Sequence, residues 1–496
     1  GQNWRSIDKL PGVPDRFFVN DIKADLHDPD TVYVVVDDHK SGDFSPYVLK
    51  STNRGKSWKS IAGNLPERHI LWRIVQDHEQ PGLLFLGTEF GVFFTVNGGG
   101  AWTKLKGGAP NIPFRDLAIQ KRENDLVGAT FGRSFYILDD YTPLRSVTED
   151  MLKNDTMLFP VRTTRWYVPK RPLGCSQEGC KGSQGDDFYT APNPPFGATF
   201  TYYLPESLQS QKEARREAEK EKEKMNESVE FPSWDRILGE LREDDPAIVF
   251  TVKDAAGNVV RHIEAPAEAG FHRVAWDLRF PSVEAWVPED QREQAWIPTA
   301  GVLVAPGSFS VSMQKRMDGV LTDLGQSQRF EVVSIRDPVL PGSTQEQRVV
   351  FDSQVNELSR ATQGTVKTID AIVAELTAAK EVLLSSTADP SLYEIANSIQ
   401  QRIQAERDRL TNNEARDLYN DFDEMTVTTR LFHARFAPTT NAYGPTPAQR
   451  ESLRIARSMY DDVTRQLSNL VDVEYAGLKV ALDAAGVPWS PGRGIQ

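Results

Sequence analysis

Arg73, Arg115 and Arg133 stand at comparable places in successive stretches of the chain, with Glu89, Asp116 and Tyr136 close by. These residue types suit one kind of chemistry. Converging guanidinium groups grip a carboxylate, a Tyr beside a carboxylate can act as a nucleophile, and a further acid can protonate a leaving group. Together in one cleft they would cleave a glycan. The competing assignment is that Arg and Asp on neighbouring strands pair with one another and hold the scaffold, and this is the preferred one. Carboxylate pairs such as Asp37-Asp38 and Asp139-Asp140 serve glycoside hydrolysis only at a set separation, which sequence does not supply.

The stretches that carry these residues are repeats. Ser51-Thr52-Asn53-Arg54-Gly55-Lys56-Ser57-Trp58 and Thr95-Val96-Asn97-Gly98-Gly99-Gly100-Ala101-Trp102 share the pattern [S/T]-x-N-x-G-x-x-W, 44 residues apart. Gly1-Gln2-Asn3-Trp4 matches the tail of an earlier copy. The pattern has a local logic. An Asn side chain can bond its own backbone, and Gly accepts positive φ, so Asn53, Gly55, Asn97 and Gly99 make tight hairpin turns. Trp58 and Trp102 then start the following strands and tuck their rings inward. These six positions are structural.

Strand patterns recur around the turns, with units beginning near Phe18, Leu71 and Phe114. The period fits four-stranded propeller blades. Residues 1–145 are therefore expected to be the last blades of a β-propeller, about three of them. Three blades do not close a ring, and open blade edges invite pairing. The expectation is that the remaining blades come from a longer precursor or a second chain, and that a protein partner is involved. A start inside a repeat also makes the lack of a signal peptide uninformative.

Residues 146–195 read as a crossover strand (Met157 to Val161, with Trp166-Tyr167) and a Pro/Gly-rich loop. That loop holds Cys175 and Cys180, which are expected to form a local disulfide suited to an exported protein. Residues 196–338 read as an Ig-like or fibronectin-like β-sandwich of short alternating strands. It is interrupted at 207–228 by a charged helical insertion, QKEARREAEKEKEK. Residues 344–496 carry apolar positions at helical spacing from Asn356 to Leu384, Leu392 to Leu410, Glu414 to Phe436 and Thr446 to Ala484. An antiparallel bundle of three to four helices is expected.

The blade series ends in Arg115-Asp-Leu-Ala-Ile119 and Thr130-Phe-Gly-Arg-Ser-Phe-Tyr-Ile-Leu-Asp-Asp140. With Asp254-Ala-Ala-Gly-Asn258, Val274-Ala-Trp-Asp-Leu-Arg279 and Ala305-Pro-Gly307, it resembles bacterial sortilin-like proteins with BNR (Asp-box) repeats. The resemblance runs through the whole chain in order. It implies a propeller followed by an Ig-like domain and a C-terminal helical region, and export to the periplasm, cell surface or exterior. Two departures stand out: the front of the propeller is lacking, and Asn53 and Asn97 replace the usual Asp. The glycosyl hydrolase label common among such relatives rests on a rim turn and reports fold rather than activity.

The 496 residues carry a net charge of -13, which speaks against general nucleic-acid binding. No apolar run approaches the roughly 18 residues needed for a transmembrane helix. No cofactor or metal site is expected. Asp37-Asp38-His39 and Asp186-Asp187 could offer oxygen ligands to a structural Ca2+, but neither has the spacing of a calcium loop. The preferred function is a non-catalytic exported protein for binding or for assembly of a surface complex, with its binding residues in the propeller channel. The alternative is a sialidase-like glycoside hydrolase in that channel.

Overall fold

Two polar turns organise the N-terminal region in the same way. The Ser51 hydroxyl accepts the Gly55 N–H at 2.9 Å while Asn53 Oδ1 accepts the Ser57 N–H at 2.9 Å. One repeat later the Thr95 hydroxyl accepts the Gly99 N–H at 3.1 Å and Asn97 Oδ1 accepts the Ala101 N–H at 3.0 Å. Arg54, Gly55, Gly98 and Gly99 all take positive φ inside these loops. The computed structural model describes residues 5–169, 191–285, 301–337, 339, 341–419, 425–436 and 443–494. Cys175, Cys180 and Asp186-Asp187 lie outside them. The chain divides into two units. One holds Gly1–Pro160, Phe200–Pro246 and Pro266–Arg273; the other holds Val161–Thr199, Ala247–Ala265 and Val274–Gln496.

In the first unit, β1 (Phe18–Ala24), β2 (Val32–Asp38), β3 (Asp43–Ser51) and β4 (Lys59–Ser60) form an antiparallel meander. A second meander has β5 (Leu71–Gln76), β6 (Leu84–Thr88), β7 (Gly91–Thr95) and β8 (Thr103–Lys104). The third has only β9 (Phe114–Gln120), β10 (Asp125–Thr130) and β11 (Phe135–Leu138). The first seam between sheets is apolar: Tyr33, Val35 and Val48 meet Leu71, Ile74, Phe93 and Trp102. Trp102 is 3% exposed, and its indole N–H donates to the Ile61 carbonyl at 2.7 Å. Asn64 pairs with both backbone groups of Trp102, at 2.6 and 3.0 Å. The second seam buries Phe85, Val92, Phe114, Leu117, Leu126 and Tyr141. Behind it, fully buried Asp77 is held by Arg145 at 2.8 Å and by the Tyr141 hydroxyl at 2.7 Å. Those partners outweigh burial and keep the Asp77 carboxyl below its ordinary range.

Where the sequence reads as one crossover strand, the chain forms two. After α1 (Glu149–Asn154), β12 (Met157–Leu158) pairs with β14 (Ala198–Leu204), whereas β13 (Thr164–Trp166) runs parallel to β19 (Val320–Ser334) in another sheet. Pro160 lies between them, and a residue without an N–H cannot continue a ladder. The charged insertion forms α2 (Gln211–Lys224), and a second helix, α3 (Trp234–Arg242), follows it. Arg215 of α2 forks onto Glu240 of α3 at 2.6 and 2.7 Å.

The second unit contains a mixed five-stranded sheet in the order β13-β19-β18-β15-β16, with β15 (Ala247–Asp254), β16 (Val259–Ala265) and β18 (Gly307–Met317). At the end of β17 (Gly270–Trp276), Trp276 packs edge-on to Phe309 and Phe330, with centroids at 5.1 and 6.2 Å. The helical region holds α4 (Gln345–Leu384), α5 (Ser391–Leu410), α6 (Glu414–Leu418), α7 (Val427–Phe436), α8 (Pro447–Asn469) and α9 (Ala476–Ala484). Thr344 and Thr446 cap α4 and α8 through reciprocal bonds with Gln347 and Gln449. The predicted helix 414–436 is instead two, and a π-turn at Leu470–Tyr475 joins α8 to α9. Leu376, Ile399, Ile403, Val463 and Leu482 form the core of this region.

A group of charges around buried Arg348 is partly withdrawn from water, with Arg279, Asp352 and Arg435 half-buried and Glu284 exposed. Arg348 (3% exposed) lies 3.5 Å from Asp352 and 5.1 Å from the Trp166 ring. Burial pulls Arg279, Arg348 and Arg435 below the usual arginine range and pushes Glu284 up. Burial raises the Asp352 carboxyl to about 6, against the opposing pull of Arg348, Arg435 and Arg279.

Two measurements follow from these packings. A Cβ on Gly99 would lie 2.8 Å from the Ile61 Cβ, at a φ of +98°, whereas Gly98 faces open space. Gly99→Ala is expected to lower the unfolding free energy by about 2–4 kcal/mol, and Gly98→Ala by about 1 kcal/mol, read from denaturant midpoints. Asp352 has a folded pKa above its unfolded value, so its contribution is full below about pH 4 and is lost as pH rises through about 6. Asp352→Asn should flatten that window, removing a slope that amounts to roughly 2–3 kcal/mol between pH 4 and 7.

Candidate functional site

Of the residues singled out from the sequence, Arg73, Arg115 and Asp116 lie on the first strand of a meander, and each of the three first strands carries a bulge. In β1 the register slips between Val19 and Asp21, in β5 between Leu71 and Arg73, and in β9 between Phe114 and Asp116. The extra residues are Asn20, Trp72 and Arg115; the residues after them are Asp21, Arg73 and Asp116. A bulge re-aims the side chains on either side of it. The result is two rows of residues, each running across the three sheets.

The row after the bulges alternates in charge. Arg73 Nη1 lies 3.0 Å from Asp21 Oδ1 and its Nε lies 2.7 Å from Asp116 Oδ1. Asp21 is 4% exposed at its side chain and also accepts the Ile74 N–H at 3.0 Å; Asp116 is 56% exposed. Burial works against the charge on Arg73, but Asp116 and Asp21 hold its proton more tightly than usual. A guanidinium engaged on both sides is a clamp between sheets, with its Nη2 donors left over.

The row of bulge residues runs amide, aromatic, cation: Asn20 donates to the Leu71 carbonyl at 2.8 Å, and Trp72 meets Arg115. The Arg115 guanidinium lies 3.5 Å over the Trp72 ring and 5.5 Å from the Phe131 ring, within the range of cation–π attraction. Trp72 donates its indole N–H to Glu89 Oε2 at 3.1 Å and meets the His39 ring edge-on at 6.0 Å. His39 in turn bonds Asp37. No hydrogen-bond acceptor takes the Arg115 N–H groups among the described residues. Arg133 stands apart, exposed on the β10–β11 turn beside Ser134, whose φ is +62°. The structure thus brings Arg73 to Asp116 and Arg115 to the Trp72–Glu89 pair, without drawing Arg133 into either group. Among the described residues no three of His, Cys, Asp and Glu are grouped as a metal would need.

Sequence reasoning missed Asp21, Trp72 and Phe131, and named His39 only beside Asp37-Asp38 as a possible calcium ligand. Asp21 was missed because the count began at Phe18, whereas Val19 is the register equivalent of Leu71 and Phe114, so Asn20 was set opposite Arg73 and Asp116. The aromatic partners carried no signal beyond being aromatic next to a charge.

No family model matches the sequence, and no curated protein matches it. Among solved structures, an ancestral GH74 enzyme is 21% identical over 24% of this chain and 18% of its own, with a TM-score of 0.20. YCF48 bound to a D1 peptide is 17% identical over 33% of this chain and 49% of its own, also at 0.20. PorZ, a surface component of the type-IX secretion system of Porphyromonas gingivalis, is 12% identical over 64% of this chain and 30% of its own, again at 0.20. This chain therefore spans less than half of each of those proteins, and at such TM-scores the likeness assigns neither fold nor activity. Among the described residues no helix is long and apolar enough to cross a membrane.

The clamp gives a direct measurement. Arg73→Ala takes the guanidinium from the buried Asp21 carboxylate, leaving it Lys23 at 3.9 Å, and is expected to cost about 3 kcal/mol in unfolding free energy. Asp116→Ala removes the exposed arm alone and should cost no more than about 1 kcal/mol.

Proposed function

We propose that the chain is a non-catalytic, exported protein for binding or for assembly of a surface or extracellular complex. The three meanders are read as blades of an unfinished β-propeller of the Asp-box type, and the second unit as an Ig-like sandwich followed by a helical bundle. The observation that carries this is the state of Arg73, the arginine best placed to meet a substrate carboxylate. It is engaged by Asp21 and Asp116 as a tie between sheets. The repetition of four strands, a bulged first strand and a Trp-ending turn supports the blade assignment. The bare edge of the third meander supports the expectation of a protein partner or further blades.

Arg115 and Trp72 belong to the contact surface in this reading. A guanidinium stacked on an indole keeps its in-plane N–H groups available to an acidic side chain or a carbonyl of the partner. Glu89 fixes the indole below it.

The test is turnover. The purified chain is expected to release no aglycone above buffer from aryl sialosides and aryl β-glycosides between pH 4 and 8. Turnover that falls at least a hundredfold in both Glu89→Gln and Asp116→Asn would replace this reading with the glycan-acting hydrolase.

A further inference from the structure

The second meander hands Trp102 to the seam before it, and the third has no tryptophan to hand. The registers of the second and third meanders superpose residue by residue, since Ile74 lies opposite Leu86 as Leu117 lies opposite Gly128, and Phe93 opposite Leu86 as Tyr136 opposite Gly128. The linkers align as well: Ile61-Ala-Gly-Asn-Leu65-Pro66 after Trp58 corresponds to Leu105-Lys-Gly-Gly-Ala109-Pro110 after Trp102. In the first seam the space framed by Ile61, Leu65, Leu71, Ile74, Leu84 and Phe93 is filled by the Trp102 ring. In the second seam the matching residues, Leu105, Ala109, Phe114, Leu117, Leu126 and Tyr136, line a cavity of about 220 Å³.

Two further contrasts mark that cavity as the same socket without its plug. A Cβ on Gly63 would meet the Gly99 and Gly100 carbonyls and Trp102 at 3.2–3.6 Å, whereas one on Gly107, its counterpart, meets nothing within 4 Å. Strands β3 and β7 each carry a two-residue outer strand, β4 and β8, but β11 pairs on one side only among the described strands. Phe135 and Ile137 on β11 are 69% and 58% exposed.

We infer that β11 and the cavity beside it form a docking site for a strand of this same repeat type, one that follows a Gly-x-x-Trp turn and belongs to a partner repeat. The strand adds to the free edge of β11 by main-chain hydrogen bonds, and its Trp enters the cavity against Leu105, Phe114 and Tyr136. Strand addition supplies affinity through the backbone, and the pocket for one side chain supplies specificity. An indole suits an apolar pocket with one polar exit, since its N–H needs a single acceptor; the Leu105 carbonyl is the counterpart of the Ile61 carbonyl that serves Trp102. The sequence contains a further segment of this pattern: Trp4-Arg5-Ser6-Ile7 repeats Trp58-Lys59-Ser60-Ile61 almost residue for residue. One difference from the filled seam is that Gly108 replaces Asn64, so the amide that pairs with the Trp102 backbone has no counterpart.

The inference rests on the unfinished-propeller reading, and its test is separate from the turnover and clamp measurements. The probe is a synthetic peptide with the sequence Ser51–Asn64, titrated to millimolar concentration into the full chain, with amide hydrogen exchange followed at β11. Saturable binding and protection of Phe135–Leu138 are expected. Affinity should fall at least tenfold for the peptide carrying Trp58→Ala and for the protein carrying Ala109→Trp, which fills the socket from within. Ile137→Pro, which breaks the edge without filling the pocket, should weaken binding likewise. No saturable binding, or binding indifferent to the peptide's Trp and to Ala109→Trp, overturns the socket while leaving the blade assignment to its own evidence.

Discussion

The bond from the Trp102 indole to the Ile61 carbonyl ties a residue of the second meander to the linker that leaves the first. Its geometry depends on the turn before it. Thr95 and Asn97 accept N–H groups from Gly99 and Ala101, so the chain reverses within a few residues and delivers the indole to one place. The apolar seam then closes around the ring, with Val35 and Val48 on one side and Leu71 and Ile74 on the other. Polar turn and apolar ring thus act as one unit: the turn supplies direction and the ring supplies the buried area.

That unit was legible in the sequence because its parts are local. Asn, Gly and Trp at fixed spacing declare a turn and an anchor, and the strand alternation around them declares a sheet. The pairing of Arg with Asp across neighbouring strands was also read from the sequence, but Asp21 as its buried member was not. Asp21, Arg73 and Asp116 come together only because each first strand is bulged, and a bulge leaves no mark in composition. The same holds for the aromatic row, where Trp72 and Phe131 meet Arg115 from different sheets. In the middle of the chain, the charged run 211–224 announced α2, but α3 was missed. Its Trp234, Leu238 and Leu241 are exposed, so the periodicity that marks a buried face has no partner to explain it.

The second unit solves a different problem. Trp276 behind Phe309 and Phe330 gives its sheet an aromatic core, and capped helices with a continuous apolar seam build the rest. Between these apolar regions lie Arg279, Arg348, Arg435, Glu284 and Asp352, a charged group in which burial weakens every member's ionised form. Such groups are seldom the strongest way to hold two elements together, and their usual merit is that only one arrangement satisfies them. Helical spacing gave no hint of them, because a charge every few residues reads as a solvated face.

The row of charges on the bulged strands has a parity. It runs acid, base, acid, with Asp21 at one end and Asp116 at the other. Two ends of like sign cannot be neighbours without an uncompensated carboxylate pair. If the alternation continues around a closed ring, a base must stand between them, and the number of first strands in the ring is even. A charge pattern set by three residues thus constrains a count that no length of strand or turn determines.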